Sequence, residues 1–168
     1  MVTIQVERTI AAPPERVFAW LADPANLIVA PMVLRTGWAK DSAAPGLGAI
    51  REVVATGMWF REEITAYDPP RSYSYRIMRA VPAFKDHTGT LTFTPSGTFT
   101  PSGTSTPSGT FTPSGGGTPS GGGTHVDWTI SYTHPIRGGG TAMEAVSSRL
   151  LPWNFTAILA GCAKALER

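Results

Sequence analysis

The chain has 168 residues, 42% of them apolar and 15% charged, with a formal net charge of +2. That length suits one ordinary domain and is short for two, and so weak a charge, with no run of Lys or Arg, gives no footing for nucleic acid. The single cysteine, Cys162, excludes an intramolecular disulfide and a cysteine-held zinc site.

Val2–Ile10 alternates Val2, Ile4 and Val6 against Thr3, Gln5 and Glu7, which predicts a first strand and lacks the basic-then-apolar pattern of a secretion signal. The stretch AAPPERVFAWLADP then opens with prolines suited to a first helical turn. It sets Val17, Phe18 and Leu21 on one face and stops at Asp23-Pro24. A second short helical turn follows over Ala25–Val29 and a short strand over Leu34–Trp38. The nearly apolar run 27–34 is 8 residues long and holds a proline, far short of a membrane span. A soluble, cytoplasmic domain without cofactor or metal is the expectation.

Gly48–Thr56, Met58–Tyr67 and Ser72–Arg79 read as a meander broken at Gly57 and at Asp68-Pro69-Pro70. Thr88–Thr94 and Thr124–Thr133 are two further strands. Between them TFTPSG is said repeatedly: Thr92–Gly97, Thr98–Gly103, Thr104–Gly109, Thr110–Gly115 and the degenerate Gly116–Gly121. Pro-Ser-Gly is a turn phrase, and a proline at every sixth position interrupts any ladder. Deleting four hexads leaves HTGTLTFTPSGGGTHVDWTISY, an ordinary β-hairpin. The repeat therefore reads as an insertion at a hairpin tip, about residues 95–121, in a single domain covering 1–168.

After Gly138-Gly139-Gly140, Thr141 with Glu144 makes a capping-box pattern. Val146, Leu150, Leu151, Phe155, Ile158, Leu159, Cys162 and Leu166 then recur at helical spacing. Pro152 inside this helix removes an amide donor and predicts a kink, and Pro152-Trp153 is a candidate gate. The order is an α+β arrangement: one strand, two short helices, about six more antiparallel strands and a long terminal helix.

That order, with the phrases VERTIAAPPERVFAWLADP (Val6–Pro24), the Asp68-Pro69-Pro70-Arg71 turn with SYSYRI, and GGGTHVDWTISY (Gly121–Tyr132), resembles the START-like (SRPBCC) superfamily, in its polyketide cyclase/dehydratase-like branch. The resemblance covers nearly the whole chain except the repeat. It implies a helix-grip fold, in which a curved antiparallel sheet wraps the C-terminal helix around an apolar cavity. It also implies a small hydrophobic ligand, a lipid or aromatic polyketide, that relatives bind, carry, cyclise or dehydrate. No invariant catalytic motif comes with it.

Strand parity nominates the residues facing such a cavity. Ile50 and Val54 put Glu52 inside, and Met58, Phe60 and Ile64 put Glu62 inside, so two carboxylates are candidate general acid/base groups. A slip by one residue, given the flanking Arg51 and Arg61, sends both out to solvent pairs. Tyr73, Tyr75 and Ile77 form a further inward face, and Trp128 and Tyr132 line the cavity or touch the final helix. The ligand-binding set is Phe60, Ile64, Tyr75, Trp128, Tyr132, Leu151 and Phe155. His87, His125 and His134 do not converge as metal ligands and read as solvated loop or strand-end residues; Cys162 reads as buried packing. Three functions follow: binding or carriage of a hydrophobic molecule, a cyclase/dehydratase-type enzyme using Glu52 or Glu62, or a protein-binding regulatory module with a closed cavity.

Overall fold

The computed structural model describes residues 1–97 and 122–167. Its elements are β1 (Val2–Ile10), α1 (Pro14–Ala22), a 3₁₀ helix (Pro24–Val29), β2 (Val33–Trp38), β3 (Ile50–Ala55), β4 (Met58–Asp68), β5 (Ser72–Val81), β6 (Lys85–Ser96), β7 (Gly123–Thr133), a 3₁₀ turn (Ile136–Gly138) and α2 (Gly140–Leu166). The seven strands form one antiparallel sheet in the order β1-β7-β6-β5-β4-β3-β2, with α2 packed across β1. This is the helix-grip arrangement that the resemblance implies.

Local chemistry explains the short helices. Pro14 occupies the first turn of α1, where no amide donor is required, and Val17, Phe18 and Leu21 are buried. The Asp23 carboxylate accepts from Ala25 N at 2.9 Å and starts the 3₁₀ helix. Phe18 then meets Tyr67, Tyr73 and Phe93 edge-on at 5.3, 5.7 and 5.2 Å between centroids. The Tyr73 hydroxyl donates to Leu21 O at 2.9 Å, so the buried polar tip of β5 ties the sheet to α1.

Irregular pairing occurs between β4 and β5 at Arg61/Glu62 and at Ile64/Ala66, and between β5's other neighbour β6 and β7 at Lys85/Thr88. Such bulges bend a strand and raise its twist, which curls the sheet toward α2.

Two expectations for α2 are corrected. Thr141 makes no cap: the helix starts from Gly139 in the left-handed region (φ 98°), and Glu144 Oε1 instead accepts from His134 N at 3.2 Å. The buried stripe is Ser147, Leu151, Asn154, Ile158, Leu159, Cys162 and Ala163, while Val146 and Leu150 are exposed. Two polar groups sit in that stripe because each has a partner. Ser147 Oγ bonds the Tyr132 hydroxyl at 2.8 Å, and Asn154 Oδ1 accepts from Met32 N at 3.2 Å. Among the described residues, no helix is long and apolar enough to cross a membrane.

Candidate functional site

Parity in β3 decides which charges enter the interior. Antiparallel partners point to the same face, and Arg51 is opposite Glu62 while Glu52 is opposite Arg61. Arg51, Val53 and Ala55 are buried, as is Glu62. Glu52 is therefore on the other face, ion-paired to Arg35 at 3.2 Å. The expectation that both carboxylates face inward fails for Glu52: β3 carries apolar residues on both parities, and Val53 with Ala55 won over Ile50 with Val54.

Inside, Arg51 and Glu62 form a buried pair, 1% and 5% exposed at their side chains, with Nε 2.9 Å from Oε1. The contact is a close ion pair across neighbouring strands. Arg51 Nε and Nη1 have no hydrogen-bond partner among the described residues. The guanidinium also stands over the rings of Tyr75 and Tyr73, at 5.1 and 5.6 Å from their centroids. Burial opposes its charge, but Glu62 and the two tyrosines outweigh that and hold it protonated. Burial pushes the Glu62 carboxyl above its ordinary value, with the Arg51 charge working against the rise.

This pair lies in the wall of an inner cavity of about 60 Å³ between the sheet and α2. Most of the lining is apolar: Phe60 from β4, Ile77 from β5, and Leu151, Phe155 and Ile158 from α2. Trp128 packs on Phe155 at 4.6 Å between centroids and donates its indole N–H to the Tyr75 hydroxyl at 3.1 Å. A volume of this size holds a few water molecules, at about 10–15 Å³ each. Beside it lies an outer cleft of about 210 Å³ between the first half of α2, the β3–β4 turn and residues 82–84. Met58, Phe84 and Leu151 line both spaces and form the partition between them.

Of the seven residues read as ligand-binding, Phe60, Tyr75, Trp128, Leu151 and Phe155 line the inner cavity. Ile64 is buried, but it lines a separate hollow of about 300 Å³ with α1 and Tyr73. Tyr132 is fully buried at the foot of α2, held by Ser147. Trp153 points outward and takes no part in the roof.

Two histidines contradict the reading of them as solvated. His87 and His134 are buried on either side of Phe84, with ring centroids 5.3 and 4.6 Å from it. His87 lines the inner cavity, and burial lowers its pKa to about 4, so it is neutral at pH 7. His87 lies on the same parity as Gly89, Leu91 and Phe93, all inward-facing, and extending that alternation back by one step finds it in the sequence. Arg51 was missed for a different reason, since a cationic residue on a strand is read outward by default. His125 is half-exposed, 3.6 Å from Glu7. Burial pushes the Cys162 thiol up to about 12, as suits a packing residue. Among the described residues, no three His, Cys, Asp or Glu side chains gather as metal ligands do.

A family model described as polyketide cyclase / dehydrase and lipid transport matches residues 1–117. The chain belongs to that family. Comparison with curated proteins gives no match. Solved structures similar to this family member include a protein from Thermus thermophilus, with 22% identity and TM-score 0.67 over 99% of this chain and 97% of that one. Another is a point mutant of norcoclaurine synthase from Thalictrum in complex with a transition-state analogue, with 12% identity and TM-score 0.64 over 99% and 94%. A third is the di-domain ARO/CYC protein BexL, with 16% identity and TM-score 0.60 over 99% of this chain and 50% of that one. At such identities these likenesses establish the START-like fold alone.

Proposed function

We propose that this chain binds a small, mostly apolar molecule between the curled sheet and α2, reached through the outer cleft. The observation that carries this reading is the continuity of apolar surface across Met58, Phe84 and Leu151, which separate a deep cavity from an open one. Family membership supports it, since the family's description joins cyclases and dehydrases with lipid transport. Rotation of the Phe84 ring or of the Met58 chain merges the two spaces, and long unbranched methionine adapts readily to such a change.

The test is a titration with 1-anilinonaphthalene-8-sulfonate, read by fluorescence. Saturable one-to-one binding is expected, and Leu151→Trp, which fills the partition, abolishes it while the protein remains folded by circular dichroism. Unchanged binding in the filled variant overturns the reading.

A cyclase- or dehydratase-type enzyme is the second reading, favoured by Glu62. A carboxyl buried in a cavity and pushed above its usual value is suited to proton transfer from a carbon next to a carbonyl. Glu52 has no place in it. If catalysis occurs, Glu62→Gln removes turnover and leaves ligand affinity within a few-fold; retained turnover overturns this role.

A further inference from the structure

The binding reading leaves one charged group unexplained, and the following inference rests on that reading. Arg51 is 1% exposed and lines the inner cavity; its Nε stands 2.9 Å from Glu62 Oε1, but its Nη1 has no hydrogen-bond partner among the described residues. A buried donor without an acceptor is unfavourable, more so when charged, so an unmatched guanidinium nitrogen in a cavity wall calls for an oxygen. The group is also held still. Glu62 grips it from β4, and the Tyr73 and Tyr75 rings of β5 stack beneath it.

The neighbouring polar groups are neutral and partly engaged: the Tyr73 hydroxyl donates to Leu21 O, the Tyr75 hydroxyl accepts the Trp128 indole N–H and keeps its own proton to donate, and His87 Nδ1 has no partner among the described residues. The α2 face of the cavity adds only Leu151, Phe155 and Ile158, so a ligand finds its strongest donor at Arg51.

We propose that Arg51 is the polar recognition site of the cavity and takes the carbonyl oxygen of a small, otherwise apolar ketone or aldehyde, whose hydrocarbon body extends toward the outer cleft. Charge balance selects the carbonyl. Arg51 and Glu62 sum to zero, so a neutral acceptor enters without leaving net charge in a low-dielectric space, whereas a carboxylate adds an uncompensated negative charge beside Glu62. Size sets the direction, because about 60 Å³ around Arg51 accommodates the oxygen end and the cleft of about 210 Å³ accommodates the rest.

Three probes of nearly one shape test this by calorimetry on the full chain at pH 7: acetophenone, cumene, which lacks the oxygen, and benzoate, which is anionic. Acetophenone is expected to bind at least about tenfold tighter than cumene, the gain typical of a hydrogen bond to a charged group, and tighter than benzoate. Arg51→Met/Glu62→Leu removes both charges together, avoiding an orphaned carboxylate, and is expected to abolish the preference while cumene binding is kept. Equal binding of acetophenone and cumene to the unaltered protein overturns the role of Arg51 but leaves the cavity reading standing. Tighter binding of benzoate replaces it with an anion site and overturns it equally. A preference that survives in the folded double variant overturns it too, and binding of none of the three overturns both readings. If the double variant does not fold, the ratios for the unaltered protein decide alone.

Discussion

At the scale of single residues, His87 couples the cavity wall to pH. Its imidazole titrates near 6.5 when unfolded and at about 4 in the folded chain, because burial disfavours the charged form. Above pH 6.5 neither state holds the proton and the folded state has its full stability. As pH falls, the unfolded chain takes up a proton that the folded chain refuses, so stability is lost progressively down to about pH 4, by about 3 kcal/mol in total. Burial also lowers His134 and adds to the loss. Glu62 acts oppositely, since its raised value restores stability as pH falls. His87→Phe keeps an aromatic ring against Tyr132 and Phe84 and removes the titration, so its urea midpoint is expected to fall less than the parent's between pH 7 and 4.5. An identical fall in both proteins contradicts the assignment. Gly89 holds the same wall by having no side chain: a Cβ there would stand far inside van der Waals contact with Tyr75 Cζ. Gly89→Ala is expected to destabilise by about 1–3 kcal/mol, measured by chemical denaturation, as overpacking in a filled core does.

At the scale of elements, periodicity located nearly every strand and helix, because most strands keep one apolar parity and α1 one apolar stripe. It failed where an element is apolar on both faces or carries its polar groups inward. β3 is the first case, with Ile50 and Val54 on one parity and Val53 and Ala55 on the other, so nothing in its own residues fixes which face is buried. Its register with β4 does, by setting Arg51 opposite Glu62. Helix α2 is the second, for Ser147 and Asn154 are buried by partners on Tyr132 and Met32 that are distant in sequence. Hence the candidate pocket was legible in Phe60, Trp128 and Phe155 and in the inward parity of Glu62, whereas Arg51 and His87 were read outward. The β3 parity has a measurable consequence. Arg51→Leu strands Glu62 in the interior and is expected to destabilise by about 3–5 kcal/mol, while Arg51→Leu/Glu62→Leu regains most of the loss. Glu52→Gln, at a pair whose Arg35 side chain is 74% exposed, is expected to change stability by less than about 1 kcal/mol. Denaturation midpoints in the reverse order would place Glu52, not Glu62, inside.

At the scale of the whole molecule, the question is how a fifth of a chain can repeat one phrase without disturbing a closed architecture. The hexads themselves, from Thr98 to Gly121, lie outside the described residues. Their two ends do not: Ser96 on β6 pairs with Gly123 on β7, at the end of a ladder that runs unbroken from Thr88↔Ser131. The chain therefore leaves and re-enters the sheet at one point. Excising 98–121 joins Gly97 to Gly122 and leaves a two-residue Gly-Gly loop between paired strands. Such loops suit the tight turns that match strand twist, and Gly97 already has φ 130°. A shorter connection between paired strands costs less closure entropy, so the 144-residue variant is expected to be at least as stable as the parent. The site is remote in the same sense: the cavity is walled by Arg51, Phe60, Tyr75, Trp128 and α2, and none of these lies at the Ser96–Gly123 end. Probe affinity is thus expected to stay within about threefold, the spread of an uncoupled change at a distant position. Thermal melting and the acetophenone titration on the shortened chain decide it. A variant that fails to fold makes the repeat part of the domain, and one that folds but no longer binds makes it part of the site.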